Sequence, residues 1–183
     1  MIETNVPLPH GRQLPRVLNF EPGGKCLARL LGDWLALAVH YVSAERRGYP
    51  CEGEDCRYCD LPKEWRAYMP ALVAIWKSRG RTGSEELGGY LSPVEMVVEL
   101  RAGPAAILEG RPLRGIKVEL IKPAGAKNQP LRVQILETES ALELPPAFDV
   151  RPTLCRIWRN PHAFDTESKE QPRPILPIGK IAT

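Results

Sequence analysis

The sequence predicts a mainly β chain: one small barrel, an inserted zinc-binding loop, one short helix, and extended proline-rich segments at both ends. Three observations predict it. Short runs alternate apolar and polar residues with period two, the mark of strands that bury one face. A cluster of His and Cys between residues 40 and 60 interrupts those runs. The 19 prolines among 183 residues, about twice the usual share, gather toward the termini.

The first run, residues 25–31 (KCLARLL), is short and apolar, and Gly32 and Asp33 mark a turn after it. Residues 34–42 (WLALAVHYV) place Leu35, Leu37, Val39 and Tyr41 on one face and Trp34, Ala36, Ala38 and His40 on the other. This is a strand that delivers His40 at its end. In residues 65–77 (WRAYMPALVAIWK), Trp65, Ala67, Met69, Ala71, Val73 and Ile75 share one face, and Arg66, Tyr68, Leu72 and Trp76 the other. Pro70 in the middle asks for a bulge or an edge position. A helix beginning near Pro70 is the alternative. A loop rich in Gly, Ser and Arg follows over 78–89.

Residues 93–100 alternate again, with Val94, Met96, Val98 and Leu100 inward. Residues 103–109 (GPAAILE) form the single short helix, with proline in its first turn. Residues 114–121 and 131–137 are the last two strands, joined by the turn PAGAKNQP. The segment RPTLCRIWRN, 151–160, reads either as a short helix carrying Trp158 against the barrel or as a partner-binding peptide.

Five or six strands with a helix between the third and fourth suit a small OB-like Greek-key barrel. An SH3-like barrel or a β-sandwich would produce nearly the same pattern. The expected organisation is an extended N-terminal arm over 1–24, the barrel over 25–140 with its zinc loop at 40–60, and a Pro-rich C-terminal extension over 141–183.

A net charge of +3 and a pI of about 8.6 permit a nucleic-acid partner without requiring one. No apolar run is long enough to span a bilayer, and MIETNVPLPHGRQLPR lacks the apolar stretch of a signal peptide. The expectation is a cytoplasmic protein with no membrane partner. In a reducing compartment, clustered cysteines point to a metal rather than to disulfides.

The ligand spacing is His40-x10-Cys51-x4-Cys56-x2-Cys59. A Cys-x2-Cys pair on a tight turn directs two thiolates at one tetrahedral Zn2+. His40, at a strand end feeding the loop, is the expected fourth ligand, with Cys155 as its competitor. Cys26 lies in an apolar run and reads as a small buried hydrophobe. Zinc deaminases carry His-x-Glu and Pro-Cys-x-x-Cys. Here Tyr41 and Val42 follow His40, and Asp55 precedes Cys56. No His-Glu-x-x-His, Gly-x-Ser-x-Gly or phosphate-cradling glycine loop is present. These observations predict a closed structural site and no enzymatic activity.

Cations and rings interleave over residues 46–81, the pairing expected of a single-strand binder. The expected phosphate contacts are Arg46, Arg47, Arg57, Arg66, Lys77 and Arg79. Tyr58 and Tyr68 are the expected stacking rings, and Lys117 and Arg132 extend the charge on the later strands. Glu45, Glu52, Glu54, Asp55, Asp60 and Glu64 make the same segment mixed in sign.

The ligand order His40, Cys51, Cys56, Cys59 within a small barrel resembles the T4-type phage helix-destabilising proteins, which coat single-stranded DNA. The match covers about 45 residues and holds in order rather than spacing. The C-terminal stretch SKEQPRPILPIGKIAT departs from the acidic tail of such proteins. The resemblance implies an OB-type, zinc-stabilised, single-stranded nucleic-acid binder, DNA favoured, with little sequence preference. Two other functions fit the same residues. One is an accessory subunit of a nucleoprotein complex, docking a protein partner through the zinc loop or the Pro-rich ends. The other is a small zinc enzyme acting on nucleic acid.

Overall fold

The computed structural model describes residues 13–19, 22–45, 47–53, 56–75, 93–124, 129–138, 143–160 and 163–164. The elements run β1 (Arg16–Val17), β2 (Lys25–Leu30), β3 (Leu35–Val42), β4 (Arg47–Pro50), β5 (Lys63–Ile75), β6 (Val94–Arg101), α1 (Ala102–Ala106), β7 (Ile116–Ile121), β8 (Arg132–Thr138) and α2 (Arg151–Trp158). Arg46, Glu54, Asp55, Trp76, Lys77 and Arg79 lie outside the described residues.

The strands form one mixed sheet in the order β1-β6-β5-β2-β7-β8, with β3 added to β5 and β4 to β3. The 13-residue β5 is its spine. The first half of β5 pairs with β3, Leu35 opposite Tyr68 through His40 opposite Lys63. Its second half pairs with β2 along the same edge, Leu30 opposite Ala71. β6 takes the other edge. Thus β2 and β3 act as one long strand interrupted at residues 31–34.

Pro70 sits at that interruption. Its carbonyl accepts from the Leu31 N–H at 2.9 Å, so its nitrogen faces the same gap between β2 and β3. The donor that proline lacks falls where no strand needs it. A continuous strand replaces the helix considered for this run. Gly32 allows the turn to close, because a Cβ there would lie 2.9 Å from Cβ of Ala147.

Alternation divides the apolar residues between two cores. The larger lies on one face and holds Cys26, Ala28 and Leu30 from β2, Ala67, Met69, Ala71 and Val73 from β5, and Val98 and Leu100 from β6. Ile116, Val118, Leu120 and Val133 from β7 and β8 join it, as do Ala105 of α1 and Leu108 and Leu113 after it, with Trp65 partly buried against it. The second core lies on the other face. There α2 sets Leu154 and Trp158 against Val39, Tyr68 and Val97. The Thr153 hydroxyl donates to the Pro15 carbonyl at 2.9 Å, which ties α2 to the N-terminal segment.

Two expectations change. Among the described residues the sheet is open, not a closed barrel: β8 ends one side, and β6 carries β1 in parallel. The reason is the N-terminal segment. The Leu18 N–H bonds the Val97 carbonyl at 2.8 Å and its side chain enters the larger core, so this segment holds part of the β6 edge. A second helix, α2, joins the single one expected, and of the two readings of 151–160 the packed helix is found. No helix among the described residues is long and apolar enough to cross a membrane.

Candidate metal centre

His40 and the three cysteines come from three adjoining pieces of chain. His40 is the sixth residue of β3 and points to the same face as Ala36 and Ala38. β4 returns antiparallel beside it, Tyr49 opposite His40 and Pro50 opposite Val39. The ladder continues one step, because the Cys51 N–H donates to the Ala38 carbonyl at 2.8 Å. Cys51 is thereby placed beside His40 by ordinary sheet pairing.

The remaining two ligands sit on a knuckle. The Cys56 N–H reaches the Gly53 carbonyl at 3.3 Å, and the Cys59 N–H reaches the Cys56 carbonyl at 3.1 Å. Gly53 has φ of 90°, a left-handed conformation that favours glycine. The Leu61 N–H then bonds the Tyr58 carbonyl at 2.8 Å, and the chain enters β5.

The four ligand atoms lie within 4.8 Å of one another, so His40, Cys51, Cys56 and Cys59 can hold one metal ion. A tetrahedral ion with metal–sulfur bonds of about 2.3 Å keeps its sulfurs about 3.8 Å apart. The Cys51 and Cys59 sulfurs are 3.8 Å apart. His40 Nε2 lies 4.0 Å from Cys59 Sγ, against about 3.6 Å for bonds of ideal length. His40 is fully buried, and its Nδ1 lies 3.1 Å from the Leu61 carbonyl. A carbonyl only accepts, so Nδ1 carries the proton and Nε2 is left bare toward the sulfurs. Cys155 lies in α2 and is not among these four.

The thiols are unequal without a cation. Burial works against the Cys56 thiolate, but backbone N–H groups at Glu52 and Tyr58 and the neighbouring thiols outweigh it, holding Cys56 below the ordinary thiol range. The exposed Cys59 is pushed up to about 11, first by its contact with Cys51. One thiolate close by makes the next costly, which is the charge problem a divalent ion removes. Cys26 is buried in the larger core, and burial followed by the Glu119 charge pushes it up to about 12.

Of the expected nucleic-acid contacts, two are corrected. Tyr68 is 1% exposed, with its ring edge-on to Trp158 at 6.0 Å. It has no face for a base, because α2 covers that side of β5. Arg66 is half-buried and ion-paired, Nη1 to Glu99 at 2.8 Å and Nη2 to Glu64 at 3.3 Å. Its charge serves the sheet. Arg47 is half-buried, and Arg57 is exposed with its guanidinium 4.6 Å over the Tyr58 ring. Lys117 is half-buried on β7 and Arg132 exposed on β8, both pointing away from the larger core. Tyr49 went unnamed among the expected contacts, yet it stacks on Tyr58 with ring centres 4.9 Å apart. The only signal the sequence held was its place among the interleaved cations and rings of this loop, because the strand that sets it opposite His40 forms only by pairing with β3.

A scan against family models finds no match, and no curated protein or solved structure matches the chain.

Proposed function

We propose that this chain is a non-enzymatic module that binds single-stranded nucleic acid, DNA favoured, on an OB-like scaffold stiffened by zinc. The observation that carries the reading is the position of the metal loop in the strand order. A first strand in two pieces (β2 and β3), then β5, β6, α1, β7 and β8, with β2 beside both β5 and β7, follows the OB order in open form. In that order the metal loop joins the first and second strands. OB modules hold oligonucleotides with this loop and the one between their last two strands.

The donor set supports zinc in a structural role. Three thiolates and one imidazole complete a tetrahedron, whereas a catalytic zinc keeps one position open. The ion would fix a loop of about twenty residues that otherwise lacks a core, and its binding would contribute to folding. Arg57, Arg47 and Arg132 supply charge for phosphates. Metal analysis of the purified protein tests the first part: one zinc per chain is expected, and none after the cysteines are changed to serine.

Titration into labelled oligo-dT and a matched duplex at two salt concentrations tests the second. Preference for the single strand, weakened by salt, is expected. Equal affinity for duplex would refute it. The second reading, an accessory subunit with a protein partner, is favoured by one observation. The burial of Tyr68 and the pairing of Arg66 remove two of the expected nucleic-acid contacts. Failure to bind either oligonucleotide, with co-purification of a partner, would establish it.

A further inference from the structure

We infer that the ligand site is the rim of the metal loop, centred on Tyr49 and flanked by Arg57, Arg47 and Lys63, and not the open face of the sheet. The inference rests on the single-strand reading above and places its site. Two independent observations lead to it.

The first is what α2 covers. An OB module offers the face of its second and third strands. In this chain those strands are β5 and β6, and their outer face is packed under α2. Leu154 is 0% and Trp158 4% exposed, against Tyr68 and Val97 at 1% and 0%. Farther along the same face, Arg66 and Arg101 share Glu64, and Arg66 also holds Glu99. A strand of nucleic acid laid there would have to expel a helix and break an ion-pair network.

The second is what the metal loop gathers. Residues directly opposite in a sheet share a face. Tyr49 stands opposite His40, and His40 stands opposite Lys63. Arg47, two residues before Tyr49, shares its side of the strand. Tyr58 comes over from the knuckle to stack on Tyr49 at 4.9 Å, and Arg57 lies over the Tyr58 ring at 4.6 Å. With a ring and a guanidinium on it, Tyr58 has little face left to offer. It serves as a backing plate, and Tyr49 is the ring that receives a base. The Tyr49 hydroxyl donates to Glu45, which fixes the ring and engages one of the nearby carboxylates. Glu52 accepts from Asn160 at 3.5 Å, and Asp60 is a further exposed acid among the described residues of the loop, where Arg57 and Lys63 are exposed and Arg47 is half-buried.

The chemistry fits an unpaired base with its phosphates. A metal held by the four ligands would set the ring positions, because the knuckle carrying Arg57 and Tyr58 lies between Cys56 and Cys59.

The test uses the full chain, loaded with zinc, and a fluorescein-labelled dT oligonucleotide of about 15 nucleotides. A second probe of equal length has abasic sites. Tyr49→Ala is expected to weaken dT binding about 5- to 150-fold, the range for one lost stacked base. It should leave abasic binding and metal content unchanged, and Tyr49→Phe, which keeps the ring but loses the bond to Glu45, should lose less dT affinity than Tyr49→Ala. Arg57→Ala should weaken both probes alike. If the wild type binds dT and Tyr49→Ala binds equally well, the site is overturned while the single-strand reading stands. If the wild type binds neither probe at low salt, both fall together.

Discussion

Changing His40 to alanine separates a true metal ligand from a buried histidine that happens to stand near thiols. The side chain is fully buried, with Nδ1 3.1 Å from the Leu61 carbonyl and Nε2 4.0 Å from Cys59 Sγ. His40→Ala removes both contacts. Losing a hydrogen bond in the shell behind a ligand costs about 10- to 100-fold in metal affinity. Losing the ligand itself should cost at least the upper figure, and 100-fold is about 2.7 kcal/mol. The Leu61 carbonyl left without its donor costs about 1–3 kcal/mol more. The total, about 4–6 kcal/mol, approaches the whole stability of a typical domain of about 5–15 kcal/mol. The assay is zinc competition against a chromogenic chelator, paired with urea unfolding with and without zinc. His40→Cys, which restores a fourth donor but not the Leu61 bond, should recover most of the affinity and less of the stability. If His40→Ala keeps one zinc per chain within about tenfold of the wild-type affinity, His40 is not a ligand.

Three further outcomes follow from the packing. Cys26 is buried, and its thiol is raised to about 12 first by that burial. The stability it lends is full below the ordinary thiol value of about 8.5 and is lost as pH rises toward the folded-state value. The urea midpoint should therefore fall between pH 8.5 and 11, and Cys26→Val should flatten that fall; an unchanged slope would refute the assignment. Trp158→Ala should cost about 3–5 kcal/mol in urea unfolding, because the ring is buried against Tyr68 and Phe164. Loss of under 1 kcal/mol would show that α2 is not held on the sheet. Gly48→Ala puts a Cβ 2.8 Å from Cγ1 of Val39, a diagonal neighbour on β3. About 1–3 kcal/mol of destabilisation is expected, with weaker zinc retention by the same competition assay, since β3 and β4 carry His40 and lead to Cys51.

The strands and the ligand set were legible in the sequence for different reasons. Period-two alternation located β3, β5, β6, β7 and β8 because each buries a row of side chains, β3 in the second core and the others in the larger one. The ligand residues were legible because thiol and imidazole side chains clustered at such spacings have few other uses. β4 was not legible. Its four residues, RGYP, contain both Gly and Pro, and only pairing with β3 makes them a strand. Tyr68 was misread for a related reason. Alternation placed it correctly on the face opposite Met69, but the cover on that face comes from residues 150–158, far along the chain.

By itself, then, the sequence determined which residues of β5, β7 and β8 share the face turned to the larger core, and the four side chains suited to one metal ion. Both are local properties, written in the spacing of residue types. The tertiary structure alone decided that β1 takes an edge of β6, that α2 covers Tyr68, and that Arg66 is held by Glu99 and Glu64. It also decided that Tyr49 and Tyr58 stack beside the metal ligands. Apart from the Glu64 contact, two residues from Arg66 on the same strand, each depends on how one segment lies on another, and no periodicity within a segment encodes which other segment that will be.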